Sequence, residues 1–223
     1  MQQKKLTVPY MVLGVLFCTC LIAANLLETK ILQFGPISLT AGFLVFPISY
    51  IIHDCIAEVW GFQRARLIIW LAFAMNFFIV VMGQIAVMLP AAPYWLENEP
   101  HFNFVFSLAP RIAFASFLAF LVGSFINAYV MSKMKIMSKG KNFSLRAIVS
   151  TLFGEGADSI IFFPLAFWGI MPFEELLKLM FIQVVAKTLY EIVVLPITIR
   201  VVNRVKKLEG TDVYDTNIKY TIF

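Results

Sequence analysis

Long apolar runs separated by short polar breaks set the rhythm of this chain, and six of the runs reach helix-spanning length. They extend over about Pro9 to Leu27, Ile37 to Trp60, Leu67 to Leu89, Phe104 to Met131, Ala147 to Ile170 and Leu176 to Val202. A helix rising about 1.5 Å per residue needs roughly 20 apolar residues to cross a hydrocarbon core about 30 Å thick. The pattern therefore predicts an all-α polytopic membrane protein, a bundle of six transmembrane helices forming one domain over residues 1–223 with a short tail from about residue 207. Some runs exceed the usual span, so tilt or turns outside the bilayer are expected.

Seven charged side chains interrupt these runs: Asp54, Glu58, Arg111, Glu155, Asp158, Lys187 and Glu191. An ionised group in hydrocarbon costs from a few to more than about ten kcal/mol, so such residues face a protein interior and mark a ligand or ion path. Five acids stand against two bases, an excess of three negatives that calls for protons, a cationic ligand or strong hydrogen-bond donors. Arg111 and Glu58, close to the membrane faces, also suit snorkelling or interhelical pairing. Asp158, about twelve residues into its span, does not.

Helical spacing gathers these positions into faces. Asp54 and Glu58 are four apart and share one side of the second span. Thr151, Gly154, Asp158 and Phe162 form a stripe on the fifth, flanked by Glu155 and Ser159, and Gln183, Lys187 and Glu191 recur every fourth residue on the sixth. The fourth carries Arg111, Ala115, Ala119, Gly123 and Asn127 at the same interval, and small residues so spaced let another backbone approach closely. Asn25 and Gln183 suit interhelical hydrogen bonds.

Composition agrees with the pattern. Among 223 residues 61% are hydrophobic and 14% charged, with a mean hydropathy of +0.85, which excludes an ordinary soluble domain. The net charge of +5 does not point to nucleic acid, because the bases sit in alternate loops. Lys4 and Lys5 precede the first span, Arg64 and Arg66 fill the second connection, Lys133, Lys135, Lys139, Lys141 and Arg146 the fourth, and Arg200, Arg204, Lys206 and Lys207 follow the sixth. The other loops offer Lys30 and Lys178 amid glutamates. The positive-inside bias places both termini in the cytoplasm. No cleavable signal is expected, since the first run is long enough to span. Ala91 to Asn103, with two prolines, Tyr94 and Trp95, reads as an external loop anchored at the interface.

Cys18 and Cys20 point to different faces of one helix, Cys55 stands alone, and His53 and His101 belong to opposite ends of the membrane. Neither metal nor other cofactor is expected. The HExxH pair, the GxSxG elbow and the phosphate-binding glycine loop are absent, which speaks against a protease, an esterase or a nucleotide-driven pump.

Four stretches, FPISYIIHDCIAEVWG (Phe46 to Gly61), RIAFASFLAFLVGSFINAYV (Arg111 to Val130), STLFGEGADSIIFF (Ser150 to Phe163) and KTLYEIVVLP (Lys187 to Pro196), resemble the bacterial queuosine precursor transporter family, also called the vitamin uptake transporter family. Asn25 also suits the family pattern. Ser124 and Asn127 depart from it, some relatives carrying glutamine and aspartate there. The resemblance implies a multi-pass importer of the bacterial inner membrane, not an enzyme, with a small-molecule 7-deazaguanine substrate, the lipid bilayer as its surroundings, no nucleic-acid partner and a homodimer as one possible assembly. The implied cargo is 7-cyano-7-deazaguanine or 7-aminomethyl-7-deazaguanine. A carboxylate can accept the ring N1 proton and the exocyclic amino group together, for which Asp158 or Glu155 is the expected choice. Phe46, Phe162, Phe163 or Trp168 would flank the ring, and Lys187 and Asn25 would donate to its carbonyl oxygen. Substrate contacts are expected among Asn25, Phe46, Asp54, Glu58, Arg111, Asn127, Glu155, Asp158, Phe162, Gln183, Lys187 and Glu191.

Two readings from other classes stand beside this one. A substrate-binding subunit of an energy-coupling-factor importer would need a docking face of small residues on the first span, of which Gly14, Ala23 and Ala24 offer a weak version. An intramembrane enzyme acting through Asp54 and Glu58 lacks a nucleophile pattern. Three helices per half would also suit an inverted repeat.

Overall fold

The computed structural model describes residues 7–35 and 37–214; Lys4, Lys5 and the part of the expected tail beyond residue 214 lie outside the described residues. Six α-helices make up most of the chain: α1 (Val8–Leu27), α2 (Phe46–Trp60), α3 (Phe62–Met88), α4 (Glu99–Met137), α5 (Phe143–Phe167) and α6 (Phe173–Glu209). All except α2 are long and apolar enough to cross a membrane. The chain is thus a helical, multi-pass membrane protein, and its lipid side is marked by exposed side chains such as Phe77, Phe153, Phe181 and Val193.

The second expected span differs most from its reading. Instead of one helix from Ile37, the structure has an antiparallel hairpin of β1 (Ile31–Phe34) and β2 (Ile37–Thr40), a 3₁₀ turn over Ala41–Leu44, and only then α2, of 15 residues. Two local features explain the break. Ile37, Ser38, Leu39 and Thr40 alternate apolar and polar with period two, the habit of a strand. Pro47 lacks an N–H and is tolerated only in the first turn of a helix, so α2 begins beside it.

Most other boundaries moved outward, although α5 ends at Phe167, short of the expected Ile170. The fourth helix starts at Glu99, five residues before the expected Phe104 and inside the expected loop, with Pro100 in its first turn. At 39 and 37 residues, α4 and α6 are about 58 and 55 Å long and overrun the bilayer core. Pro110, Pro164 and Pro196 lie inside helices. The proline ring removes a bond to the carbonyl four residues back; at α4 that carbonyl belongs to Phe106 and accepts the Gln84 amide at 2.5 Å.

Helix α5 packs directly on α4. The small-residue stripe achieves this: a Cβ on Gly123 would lie 2.8 Å from the Gly154 carbonyl oxygen, and one on Gly154 would lie 2.9 Å from that of Gly123. Gly61, at φ +83°, adopts a left-handed conformation that lets α2 run straight into α3. The apolar core is largely aromatic, with Phe17, Phe46, Tyr50, Phe73 and Phe120 in edge-to-face or tilted contact.

Contacts at one end of the bundle gather the start of α1, the α2–α3 and α4–α5 junctions and the end of α6. Tyr10 donates to the Arg64 carbonyl, Arg146 and Lys206 both reach Glu58, and Trp60 donates to Glu209. The hairpin and the α5–α6 connection lie toward the opposite end.

Candidate functional site

One helix turn after another, α2 presents Phe46, Tyr50, Asp54 and Glu58 on its buried face, while α6 presents Gln183, Lys187 and Glu191. These two faces, with α5 between them, divide the polar interior into levels.

At the first level Gln183 is fully buried and donates to the Thr40 hydroxyl at 2.5 Å, tying α6 to the hairpin. At the next is a small cavity, about 10 Å³, lined by Asn25, Glu28, Phe46, Ser116, Asp158, Phe162, Phe163 and Lys187. It has room for a single water. Lys187 donates to Glu155 at 2.8 Å, stands 3.9 Å from an Asp158 oxygen, and lies 3.9 Å from the centre of the Phe46 ring. An ammonium so placed gains from both carboxylates and from the aromatic face. Glu28, at the end of α1, adds a third acid that is 5% exposed.

The hydrogen bonding around this cavity is incomplete. The Asn25 amide nitrogen and oxygens of Glu28, Glu155, Tyr50 and Ser159 have no partner although they are buried. Unpaired buried polar atoms cost roughly 1–3 kcal/mol each, so their cluster at an aromatic-walled cavity marks this as the candidate site.

Below the cavity Asn127 donates to Asp54 at 2.6 Å and lies 3.3 Å from the ring of His53, while the Glu191 carboxyl faces that of Asp54. At the far end Arg146 forks onto Glu58 at 2.5 and 3.0 Å, Lys206 reaches it at 2.6 Å, and Lys135 donates to its backbone carbonyl at 2.6 Å. Lys135 and Lys206 also hold Asp212, at 2.5 and 3.0 Å, so the segment after α6 is strapped across this end. The Val213 amide completes the strap by donating to Val59 at 3.3 Å.

Of the twelve positions expected from sequence, Asn25, Phe46, Asp158, Phe162 and Lys187 line the cavity, and Glu155 joins them through Lys187. Asp54, Asn127 and Glu191 form the level beneath it, Gln183 holds the hairpin, and Glu58 belongs to the ion network. Arg111 is elsewhere: exposed, it donates to the Leu165 and Trp168 carbonyls at 2.9 and 2.7 Å and so closes the end of α5. Trp168 is 64% exposed, away from the cavity. Missed from sequence were Glu28, Ser116 and the burial of Lys135 and Arg146. Glu28 sits at the margin of an apolar run, where a charge reads as a loop residue. Larger grooves, between α1 and α3 and between α3 and α4, are almost wholly apolar and face outward.

The chain is similar to known proteins. The sequence family described as "Putative vitamin uptake transporter" matches residues 40–201, from β2 through most of α6. A Bacillus subtilis protein named "Probable queuosine precursor transporter" is 25% identical over 176 residues, 78% of this chain and 76% of its own length. A Haemophilus influenzae protein of the same name is 30% identical over 131 residues, 58% of this chain and 52% of that protein. The Escherichia coli "Queuosine precursor transporter" is 29% identical over 131 residues, 58% of this chain and 55% of that one. No solved structure matches the chain.

Proposed function

This chain belongs to the vitamin uptake transporter family, and we propose that it imports 7-deazaguanine precursors of queuosine across the bacterial inner membrane, gripping them in the cavity between α1, α2, α5 and α6. The observation that carries the reading is the meeting, deep in the bundle, of Asp158, Lys187 and Asn25 with the rings of Phe46, Phe162 and Phe163. The names of the three relatives support the cargo.

The chemistry suits a guanine-like ring. Asp158 accepts from the ring N1–H and exocyclic amine in one fork, the unpartnered Asn25 amide donates to the ring carbonyl, and the phenylalanines cover the faces. Lys187 holds Glu155 and Asp158 in place between substrates. The enclosed space is far below the roughly 300 Å³ of a typical ligand pocket. In this reading the helices part to admit the substrate. Both termini face the cytoplasm in this reading, α2 together with the 3₁₀ turn and hairpin completing a sixth crossing. The gathering of basic junctions at one end of the bundle supports that orientation.

The test is complementation of a queuosine-auxotrophic bacterium that lacks its own importer and any energy-coupling ATPase. Wild type, fed the cyano or the aminomethyl form at low concentration, restores queuosine to tRNA. Asp158→Asn and Lys187→Ala, at equal membrane abundance, lower uptake by about 10- to 100-fold, the equivalent of losing one charge-assisted contact. Wild type that leaves tRNA unmodified with either precursor defeats the reading. Uptake that appears only when an ATPase partner is supplied assigns the chain instead to the energy-coupling-factor class.

A further inference from the structure

Between the cavity and the ion network lies a polar level that the substrate reading does not use. Asp54, His53 and Asn127 are at most 1% exposed, Thr151 is 2% and Glu191 4%. The Asp54 and Glu191 carboxyls face one another. One oxygen each of Asp54, Glu191, Asn127 and Thr151 lacks a hydrogen-bond partner among the described residues. The nearest cationic side chains are engaged elsewhere. Arg146 is forked onto Glu58, and Lys187 is bonded to Glu155. From α2 the pair is faced by Tyr50, His53, Cys55 and Glu58, from α5 by Thr151 and Glu155, and from α4 by the Asn127 amide; on the α1 side the ring of Phe17 lies against His53.

Two buried carboxyls that face each other, each with an oxygen lacking a partner, are a geometry suited to sharing one proton. Asn127 presents its amide N–H to Asp54, the donor that a carboxylate needs whenever that proton leaves. The level also lies on a continuous acidic path. Glu155 at the cavity neighbours Glu191, Glu191 neighbours Asp54, and Glu58 follows one turn along α2 at the strapped end.

We propose that Asp54 and Glu191 form a proton-binding coupling site, separate from the substrate cavity, through which a proton passes from the cavity to the cytoplasmic end as substrate is imported. The inference rests on the import reading. The proton arrives from outside by way of the cavity and Glu155, resides on the Asp54–Glu191 pair, and leaves beside Glu58, so nothing is consumed except the proton gradient. Substrate occupancy and protonation are linked because Lys187 and Glu191 are one turn apart on α6, and Glu155 borders both.

Proteoliposomes holding the full chain test this with 7-cyano- and 7-aminomethyl-7-deazaguanine. An inward proton gradient drives accumulation by wild type, and adding substrate without a gradient moves protons inward, read by an internal pH dye. Glu191→Gln and Asp54→Asn lose both responses yet keep exchange of external for preloaded substrate, which reports an intact fold and cavity. Wild-type uptake indifferent to the proton gradient, or driven by sodium instead, overturns the coupling site while exchange continues to support import. Glu191→Gln that still accumulates substrate on a proton gradient overturns it too. A wild type that shows neither substrate binding nor exchange brings down the import reading, and the inference with it.

Discussion

Two buried clusters of charge in this molecule are built on opposite principles. At the strapped end, three bases (Lys135, Arg146 and Lys206) surround two acids (Glu58 and Asp212), and both acids are held by short ion pairs. At the cavity, three acids (Glu28, Glu155 and Asp158) share the single base Lys187, and several polar atoms go unpaired. Desolvating a charge costs several kcal/mol, and only good geometry with further hydrogen bonds offsets it. The first cluster meets that condition by itself and fastens four segments together. The second does not, and in our reading the missing partners arrive with the substrate. Burial of charge is common to both; completeness of pairing separates the part that holds the bundle shut from the part that waits for a ligand.

The largest effect that this contrast predicts falls on stability. Arg146→Ala removes the bidentate partner of a Glu58 that is 1% exposed, and breaking a buried pair from one side costs about 3 kcal/mol or more. Thermal unfolding in detergent should show the loss, while the protein that remains folded binds substrate as wild type does. An Arg146→Ala protein as stable as wild type would mean that the network is ornamental and that pairing does not distinguish the clusters.

Neutralising an acid in the incomplete cluster should do the reverse. Glu28 has an oxygen with no partner, and its carboxyl lies against Gly42. Glu28→Gln should therefore leave the unfolding temperature unchanged or raise it, because it relieves a buried negative excess. Binding of the aminomethyl substrate, whose ammonium needs a carboxylate, should weaken about 10-fold, the weight of one charge-assisted hydrogen bond. The neutral cyano form should be little affected. Isothermal titration with both compounds checks this, and equal losses for the two would place Glu28 outside the ammonium's reach.

The sequence showed this division unevenly. Periodicity places Lys187 above Glu191 and Asp54 above Glu58, and the structure keeps both steps, because a four-residue interval on a helix fixes the face whatever the surroundings. Which acid Lys187 would choose was open, since an i,i+4 partner and an acid on another helix are equally reachable on paper; it bonds to Glu155 across to α5. Arg146 and Lys135 read as loop charges that orient the chain. They also do something that hydropathy does not encode, because their long side chains fold back on Glu58 from the helix ends. The hairpin was hidden for a related reason. An apolar stretch that folds back as two short strands looks, by hydrophobicity alone, like the start of a span, and only the alternation at 37–40 and the position of Pro47 betray it. Glu28 escaped notice because its burial comes from that hairpin, which returns the chain over the end of α1 and lays Gly42 against it.

The smallest effect concerns how the strap responds to acid. Asp212 lies past the last helix, with its side chain 41% exposed. Partial burial works against its charge, but hydrogen bonds from Lys135 and Lys206, with their positive charge, prevail and hold its carboxyl below the ordinary aspartate range. A carboxyl held low in the folded state stabilises that state above its unfolded value of about 3.9 and ceases to do so as the pH falls through the lowered one. The strap should thus stay ordered throughout the neutral and mildly acid range and loosen only below it. Because Asp212 itself is open to solvent, Asp212→Asn should cost less than about 1 kcal/mol. A spin label on a Thr211→Cys protein should be as immobile at pH 5 as at pH 7, more mobile at both in the Asp212→Asn background, and Arg146→Ala should not mimic that local release without lowering the unfolding temperature. Label mobility that changes between pH 7 and pH 5 would show that a group other than Asp212 fastens the strap, and would remove one of the two acids from the completed cluster.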